Sequence, residues 1–412
     1  RIEQITLDEY QHVLVESEDQ TLFSDCTKAV LGHNESFQLQ LMHGMNYWMP
    51  RIQARLGLDP FGHQGVALGD VNGDGLDDLY VCQTGGLPNR MFVQNEDGTA
   101  SDVSVVAGVN LLDLTRSALL IDIDNDEDQD LILALGSALL FMANDGEGKF
   151  LDLGRVPING EVFSLSAADY DQDGDLDLYV CVYRSYNGVG ELGAPVPYHD
   201  ANNGGVNVLL RNDSAPLIPL RKLPNQAEWH HAWKFTDVTS ETGLSHNNTR
   251  WSFSASWEDF DNDDDLDLYV ANDYGRNNLY RNDDGHFVDV AEEVGVEDLS
   301  AGMGVTWGDY NRDGLMDLYV SNMFSSAGSR ITDQVHFKSD TSGEIRTQYQ
   351  RHTRGNSLFK NSGGNFRDVS VDAGVTMGRW AWGSKFLDIN NNGWEDLFVV
   401  NGFVTNQKLD DL

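Results

Sequence analysis

The stretch GDVNGDGLDDLYV, from Gly69 to Val81, recurs five more times in altered form. The copies are IDIDNDEDQDLIL from Ile121, ADYDQDGDLDLYV from Ala168, EDFDNDDDLDLYV from Glu258, GDYNRDGLMDLYV from Gly308 and LDINNNGWEDLFV from Leu387. The first acid of each copy falls at 70, 122, 169, 259, 309 and 388, so the intervals are 52, 47, 90, 50 and 79. Three intervals cluster near 50, and the two long ones read as one repeat plus an insertion. Around each copy lie further short β-rich runs separated by Gly, Asn and Asp turns, such as NNLYRND from Asn277 and HFVDVAEEVGV from His286. Four strands in 40 to 50 residues make one propeller blade. The expected fold is therefore all-β: a propeller of four-stranded blades, six or seven in number, six of them with an acidic loop. Helical periodicity is absent from the repeats, and only the first 65 residues, near Asn46 to Gly57, suit a short helix.

Each loop carries an acid or Asn at positions 1, 3 and 5, usually Gly at 6, and Asp at 9. Curling the chain brings side chains 1, 3 and 5 around one point, a glycine at 6 permits the turn, and position 9 closes the shell. That many hard oxygens suit calcium, which takes 6 to 8 oxygen ligands, and the loops hold no Cys or His for a softer metal. The candidate ligands are Asp70, Asn72, Asp74 and Asp78; Asp122, Asp124, Asp126 and Asp130; Asp169, Asp171, Asp173 and Asp177; Asp259, Asp261, Asp263 and Asp267; Asp309, Asn311, Asp313 and Asp317; and Asp388, Asn390, Asn392 and Asp396. An EF-hand starts the same way but requires Glu at position 12. Position 12 here is Val81, Leu133, Val180, Val270, Val320 and Val399. Simple acidic turns would leave up to four carboxylates per loop repelling one another six times over. Glu127 and Asp264 stand where the other loops have Gly, so strain is expected there. Loops three and four, each with four carboxylates, are expected to bind most tightly, and loop six, with two, most weakly.

These units resemble FG-GAP repeats, also called VCBS repeats, as in the integrin α-subunit propeller, and are similar to bacterial and animal proteins related to cartilage acidic protein. GMGVTWGDYNRDGLMDLYVSNM, NLYRNDDGHFVDVAEEVGV and GRWAWGSKFLDINNNGWEDLFVVNGFVTN carry the resemblance, which covers about residues 60 to 406. It implies an integrin-α-like, extracytoplasmic propeller holding up to six Ca2+ ions, located outside the cell, on its surface or in the periplasm. Residues 66–412 would form the propeller. Residues 1–65 would close the ring or add a metal-free blade. The chain opens on Arg1 rather than Met, which suggests an upstream segment.

Composition narrows the partners. The net charge of -39 repels nucleic acid and anionic membrane surfaces, and no apolar run is long enough to span a bilayer. Cys82 and Cys181 occupy the same place in two DLYVC copies and read as buried strand residues; with Cys26 they make an odd number. The insertions at about 183–233 and 324–355 are expected on the face opposite the acidic loops, because strand direction alternates. They hold Tyr183, Tyr186, Tyr198, His199, Phe337, Tyr349, Arg351, His352 and Arg354, with Arg346 nearby. Aromatic and basic groups together suit a protein or glycan partner, including an anionic one. The motifs GxSxG, HExxH and the P-loop are absent. A binding module for adhesion or interaction is thus the leading reading. The alternative is a propeller-fold polysaccharide lyase or hydrolase that uses calcium, with an insertion histidine such as His352 as base. Trp251, Trp257, Trp307, Trp380 and Trp382 recur beside the first strands, where they suit packing between blades.

Overall fold

A computed structural model describes residues 23–59, 62–185, 193–214 and 233–402. Five four-stranded antiparallel sheets follow one another along the chain, and a two-stranded sheet ends the described part. Their first strands are Val66–Gly69, Thr115–Ile121, Glu161–Ala168, Ser252–Glu258 and Gly302–Gly308, with Ala381–Leu387 in the sixth. In every repeat the second strand begins at the ninth-position Asp. The register is identical each time: Gly69 pairs with Asp78, Ile121 with Asp130, Ala168 with Asp177, Glu258 with Asp267, Gly308 with Asp317 and Leu387 with Asp396. The acidic motif is therefore the connection of one hairpin, made six times. Within these sheets the strand order is sequential, as in propeller blades.

First strands of successive sheets pack on one another, from Val66–Gly69 round to Ala381–Leu387. In the fourth and fifth sheets the second strands, DLYVAN and DLYVSN, are covered on both faces and buried at every residue, so they read as continuous runs rather than alternating ones, whereas those of the first and sixth sheets are partly exposed. Tyr80, Tyr269 and Tyr319 recur two residues into these strands. Each is fully buried and donates its hydroxyl to the carbonyl of Val109, Val296 or Val375. The AGV or VGV turn after the fourth strand thus supplies the acceptor that makes a buried tyrosine affordable. Trp251 and Trp307 are buried in the same packing, and Trp257 stands edge-on to Tyr179. Cys82 and Cys181 are buried and unbridged, and Cys26 is exposed.

Helices lie where the sequence pattern placed them and also where it did not. Short helices occupy Thr27–Leu31 and Met45–Trp48 in the N-terminal segment. Two more, Ser326–Thr332 and Gly343–His352, form the second insertion, which corrects the expectation that only the first 65 residues would be helical. Both start on a serine cap: Ser325 accepts from the Gly328 N–H and Ser342 from the Ile345 N–H. The apolar periodicity of these short helices is too weak to stand out in a β-rich chain. Residues 27–41 lie against the first sheet, where Leu31 and Phe37 pack on Phe92 and Ala100, and Asn34 bonds Ala100 and Asp102. At the other end of this segment Phe23 lies 5.7 Å from Phe398 of the sixth sheet.

One side chain stitches each sheet to its predecessor. Asn144, Asn212, Asn282 and Asn361 end or nearly end the third strands, and each donates to the second-position carbonyl of the preceding loop: Val71, Ile123, Tyr170 and Phe260. Each also donates to the eighth-position carbonyl of its own loop. Removing such a buried donor strands two carbonyls at once, which costs roughly 1–3 kcal/mol. We expect Asn282→Ala to lower the unfolding free energy by about that amount in urea, with Asp283→Ala, on the exposed neighbour, nearly silent; equal effects would show that the clip carries no stability.

Candidate metal loops and the opposite face

All six loops share one backbone conformation. Position 6 has positive φ throughout: Gly75 84°, Glu127 75°, Gly174 96°, Asp264 76°, Gly314 83° and Gly393 80°. Glu127 and Asp264 therefore sit in the left-handed region that disfavours side chains, as the sequence suggested. Position 4 is left-handed as well, at Gly73, Asn125, Gln172, Asn262, Arg312 and Asn391, and nothing in the acidic pattern pointed to it. Three of the side chains there reach the next loop. Asn125 donates to Asp175, Gln172 donates to Asp265, and the Arg312 guanidinium lies 5.0 Å from the Trp394 ring centroid.

The acids organise the curl before any ion enters. The first-position carboxylate accepts from the N–H groups of positions 5 and 6 in every loop, as Asp169 does from Asp173 and Gly174. The ninth-position Asp is buried in loops one to five. Its carboxylate accepts from the third strand, at Gln94, Asn144, Asn212, Asn282 or Asn361.

Four carboxylates around one point are electrostatically unsatisfied. Burial, with the neighbouring acids adding to it, pushes Asp130 up to about 9 and Asp124 to about 6. Burial likewise raises Asp177 and Asp267 to about 8 and Asp317 to about 6. Buried oxygens without a hydrogen-bond partner remain on Asp124 and Asp128 in loop two, Asp171 and Asp177 in loop three, and Asp261 in loop four. In those same loops, ligand oxygens of Asp122, Asp124 and Asp130, of Asp169, Asp171 and Asp177, and of Asp259, Asp261 and Asp263 lie within 4.8 Å of one another. Orphaned carboxylate oxygens converging at that spacing fit a hard divalent cation. Loops five and six differ: the amides of Asn311 and Asn390 donate to the ninth-position carboxylates of Asp317 and Asp396. A cation there must first turn that amide over.

At the other end of the first strands, the insertion face holds a cavity of 710 Å³. The residue six before each first loop acid lines it or the smaller cavity beside it: Gln64, Arg116, Phe163, Phe253, Met303 and Trp382. All six repeats thus contribute to one place. From the first insertion come Tyr183 and Tyr198, and Tyr274 and Asp273 join them. The Tyr183 ring stacks on Phe163 at 4.3 Å and meets Trp251 edge-on at 5.0 Å. Arg116 is held between Asp59 and Glu161, and Arg184 also pairs with Glu161.

The remaining partner candidates lie beside this cavity in a second aromatic group. His199 and Phe337 pack on Tyr349 at 5.1 and 5.5 Å. His352 is buried between Tyr198 and Tyr274, and burial holds it down to about 4, so it is neutral at physiological pH. Tyr186 lies outside the described residues. Arg351 and Arg354 do not gather free positive charge: Arg351 pairs with buried Asp298 at 2.8 Å and with Asp368, and Arg354 pairs with Asp368 at 2.8 Å. Arg346 reaches the Gln334 carbonyl. Sequence reading missed Asp59, His63, Arg116, Glu161, Phe163, Phe253, Asp273 and Tyr274. The signal available was the fixed offset of six residues before each loop, which gives the cavity-lining position without its chemistry.

Three stretches of the chain, residues 70–133, 122–180 and 259–320, match the family model of the FG-GAP-like repeat. The chain is 27% identical over 139 residues to Cartilage acidic protein 1 of Xenopus tropicalis, which covers 32% of this chain and 21% of that protein. The match thus spans about a fifth of the relative's length. Among solved structures, the V. cholerae biofilm matrix protein Bap1 aligns with a TM-score of 0.36 at 13% identity, over 66% of this chain and 36% of that one. BBS1N, solved in complex with ARL6DN, aligns with a TM-score of 0.35 at 12% identity, over 66% of this chain and 63% of that one. The chain therefore carries FG-GAP-like repeats. No helix among the described residues is long and apolar enough to cross a membrane.

Without metal, Asp130, Asp177 and Asp267 keep their protons in the folded chain up to about pH 8 to 9, whereas an unfolded Asp loses its proton near pH 4. The folded state then binds more protons than the unfolded one across that window, so stability falls as pH rises through it. A divalent cation held by the loops would take the ionised form and expel those protons. We expect melting temperature in chelator to fall between pH 5 and 8 and to be nearly flat in calcium; parallel curves would contradict this account of the loops.

Proposed function

We propose that the chain is a six-bladed propeller whose loops bind calcium and whose opposite face binds a partner outside the cytoplasm. The observation that carries the metal reading is the set of buried, partnerless carboxylate oxygens in loops two, three and four. Asp70, Asn72, Asp74 and Asp78 and their counterparts in the other five loops would hold the ions. A bound ion would neutralise carboxylates that otherwise repel, and would fix the hairpin between the first two strands of each blade. Six divalent ions would add +12 and take the formal charge from -39 to -27. Residues 23–59 would close the ring, as the contact of Phe23 with Phe398 supports.

The interaction reading is carried by the aromatic cavity and the insertions around it, with a protein or a glycan as partner. Tyr183, Tyr198, His199, Phe337, Tyr349 and His352 are the proposed contact group. Arg351 and Arg354 belong instead to the scaffold beneath it, because their charges are consumed by Asp298 and Asp368.

Metal bound only to the native state stabilises by roughly 2.7 kcal/mol per site at 100 times its dissociation constant. We expect calcium to raise the melting temperature well above its value in chelator. Asp177→Asn should remove most of one site's share, and Asp396→Asn much less. An unchanged transition on chelation would sink the metal reading. Arg351→Ala leaves Asp298 buried and unpaired, and we expect a loss of about 3 kcal/mol in denaturant unfolding. Normal stability with lost partner binding would return Arg351 to the contact surface. Hydrogen exchange of the calcium-loaded chain with a glycan or protein ligand from an array should protect residues 193–207 and 343–352. Protection confined to the acidic loops or to residues 23–59 would overturn the choice of face.

A further inference from the structure

We propose that the 710 Å³ cavity on the insertion face takes a small alkylammonium compound, its cationic head held among aromatic rings against the carboxylate of Asp273. This deepens, and rests on, the reading of that face as the binding face. The charges lining the cavity decide its preference. Arg116 is spent on Asp59 and Glu161, and Arg184 on Glu161, so these groups cancel among themselves. Asp273 is 6% exposed, and no arginine or lysine among the described residues pairs with it. The Tyr183 hydroxyl donates to one of its oxygens. A carboxylate so buried, with hydroxyl partners and the His63 imidazole nearby, is costly to ionise, and a cation entering the cavity removes that cost.

The walls are those such a cation needs. Phe163, Tyr183, Tyr198, Phe253, Tyr274 and Trp382 line the cavity. Ring contacts hold them in place, Tyr183 on Phe163 and Trp251, and Tyr274 on Trp251 and Tyr198. Aromatic rings around a partly dehydrated ammonium contribute through their quadrupoles, most when the site excludes water. An anionic ligand fits poorly. It would meet Asp59 and Asp273 with both arginines already engaged. A neutral sugar would seek several free donors and acceptors, but the polar groups here are largely bonded to one another. The net charge of -39 also concentrates cations around the molecule.

The test uses the calcium-loaded full chain, titrated with choline while tryptophan fluorescence and heat are followed. The controls are 3,3-dimethylbutanol, the uncharged isostere, together with glucose and glucuronate. Choline should bind at least about tenfold more tightly than the isostere. Asp273→Asn, which keeps the volume and the acceptor for Tyr183, should weaken choline by about tenfold or more with an unchanged melting temperature. Should that variant fail to fold, Trp382→Leu reads the same loss from the aromatic wall. Affinity should also fall as pH drops below about 6, where Asp273, with Tyr183, Tyr274 and His63 as its titratable neighbours, takes up a proton. Equal binding of the isostere, preference for glucuronate or glucose, or no choline signal at millimolar concentration would each overturn the proposal. A calcium-dependent melting shift retained beside a silent choline titration would confine the failure to the cavity. Loss of both would take the metal reading with it.

Discussion

Each repeat hangs on a buried aspartate that ends its acidic loop. Asp78, Asp130, Asp177, Asp267 and Asp317 are at most 1% exposed, yet each stands at the first position of a strand and ties together two pieces of backbone. One oxygen reaches the third strand. In loops one, two and four the other accepts from the second loop residue, at Val71, Ile123 and Phe260. A neutral amide offers only one acceptor oxygen, and an ionised carboxylate is penalised by burial. The conflict is resolved either by a proton or by a cation, and the remaining loop acids make the cation the better answer at neutral pH. Hairpin register and the start of the most buried strand are consequently one constraint, which any cation held by the loop would share.

Cooperation between repeats follows from the same place. The backbone carbonyl at the second loop position lies beside the acid, and the asparagine of the next sheet's third strand donates to it. The left-handed residue at position 4 reaches forward as well, from Asn125 to Asp175 and from Gln172 to Asp265. A loop that loses its shape therefore disturbs its neighbour's hydrogen bonds. Side chains at positive φ are costly, and Gln172 and Arg312 bear that cost where a contact to the adjacent loop offsets it.

The sequence was legible wherever physics forces repetition. Six acids in register, an apolar residue at position 12 and four β-rich runs per period specify the hairpin, and the coordinates place all six loops alike. The two insertion helices escaped notice because seven and ten residues carry too little periodicity to outweigh the surrounding strands. Arg351 and Arg354 looked like a free basic patch because their partners, Asp298 and Asp368, are 53 and 14 residues away in sequence, and pairing across that distance leaves no local trace. Asn34 and Asn212 each open an Asn-x-Ser sequon. Both asparagines are buried with their amides engaged, so the folded chain cannot present them for modification.

The two ends of the first strand answer to different demands. At the loop end little can vary, since positions 1 and 9 accept backbone N–H groups and positions 4 and 6 adopt left-handed turns. At the far end, about 20 Å away along the strand, the residue six before the loop needs only to fit around the axis. There the six repeats present Gln64, Arg116, Phe163, Phe253, Met303 and Trp382, six positions with five different side-chain chemistries. Internal repetition thus has the effect of separating stability from recognition. The hydrogen-bonded loop end holds the strands in place whatever stands at the other end, so the cavity can acquire an aromatic wall and the buried carboxylate of Asp273 without weakening the hairpins that support it.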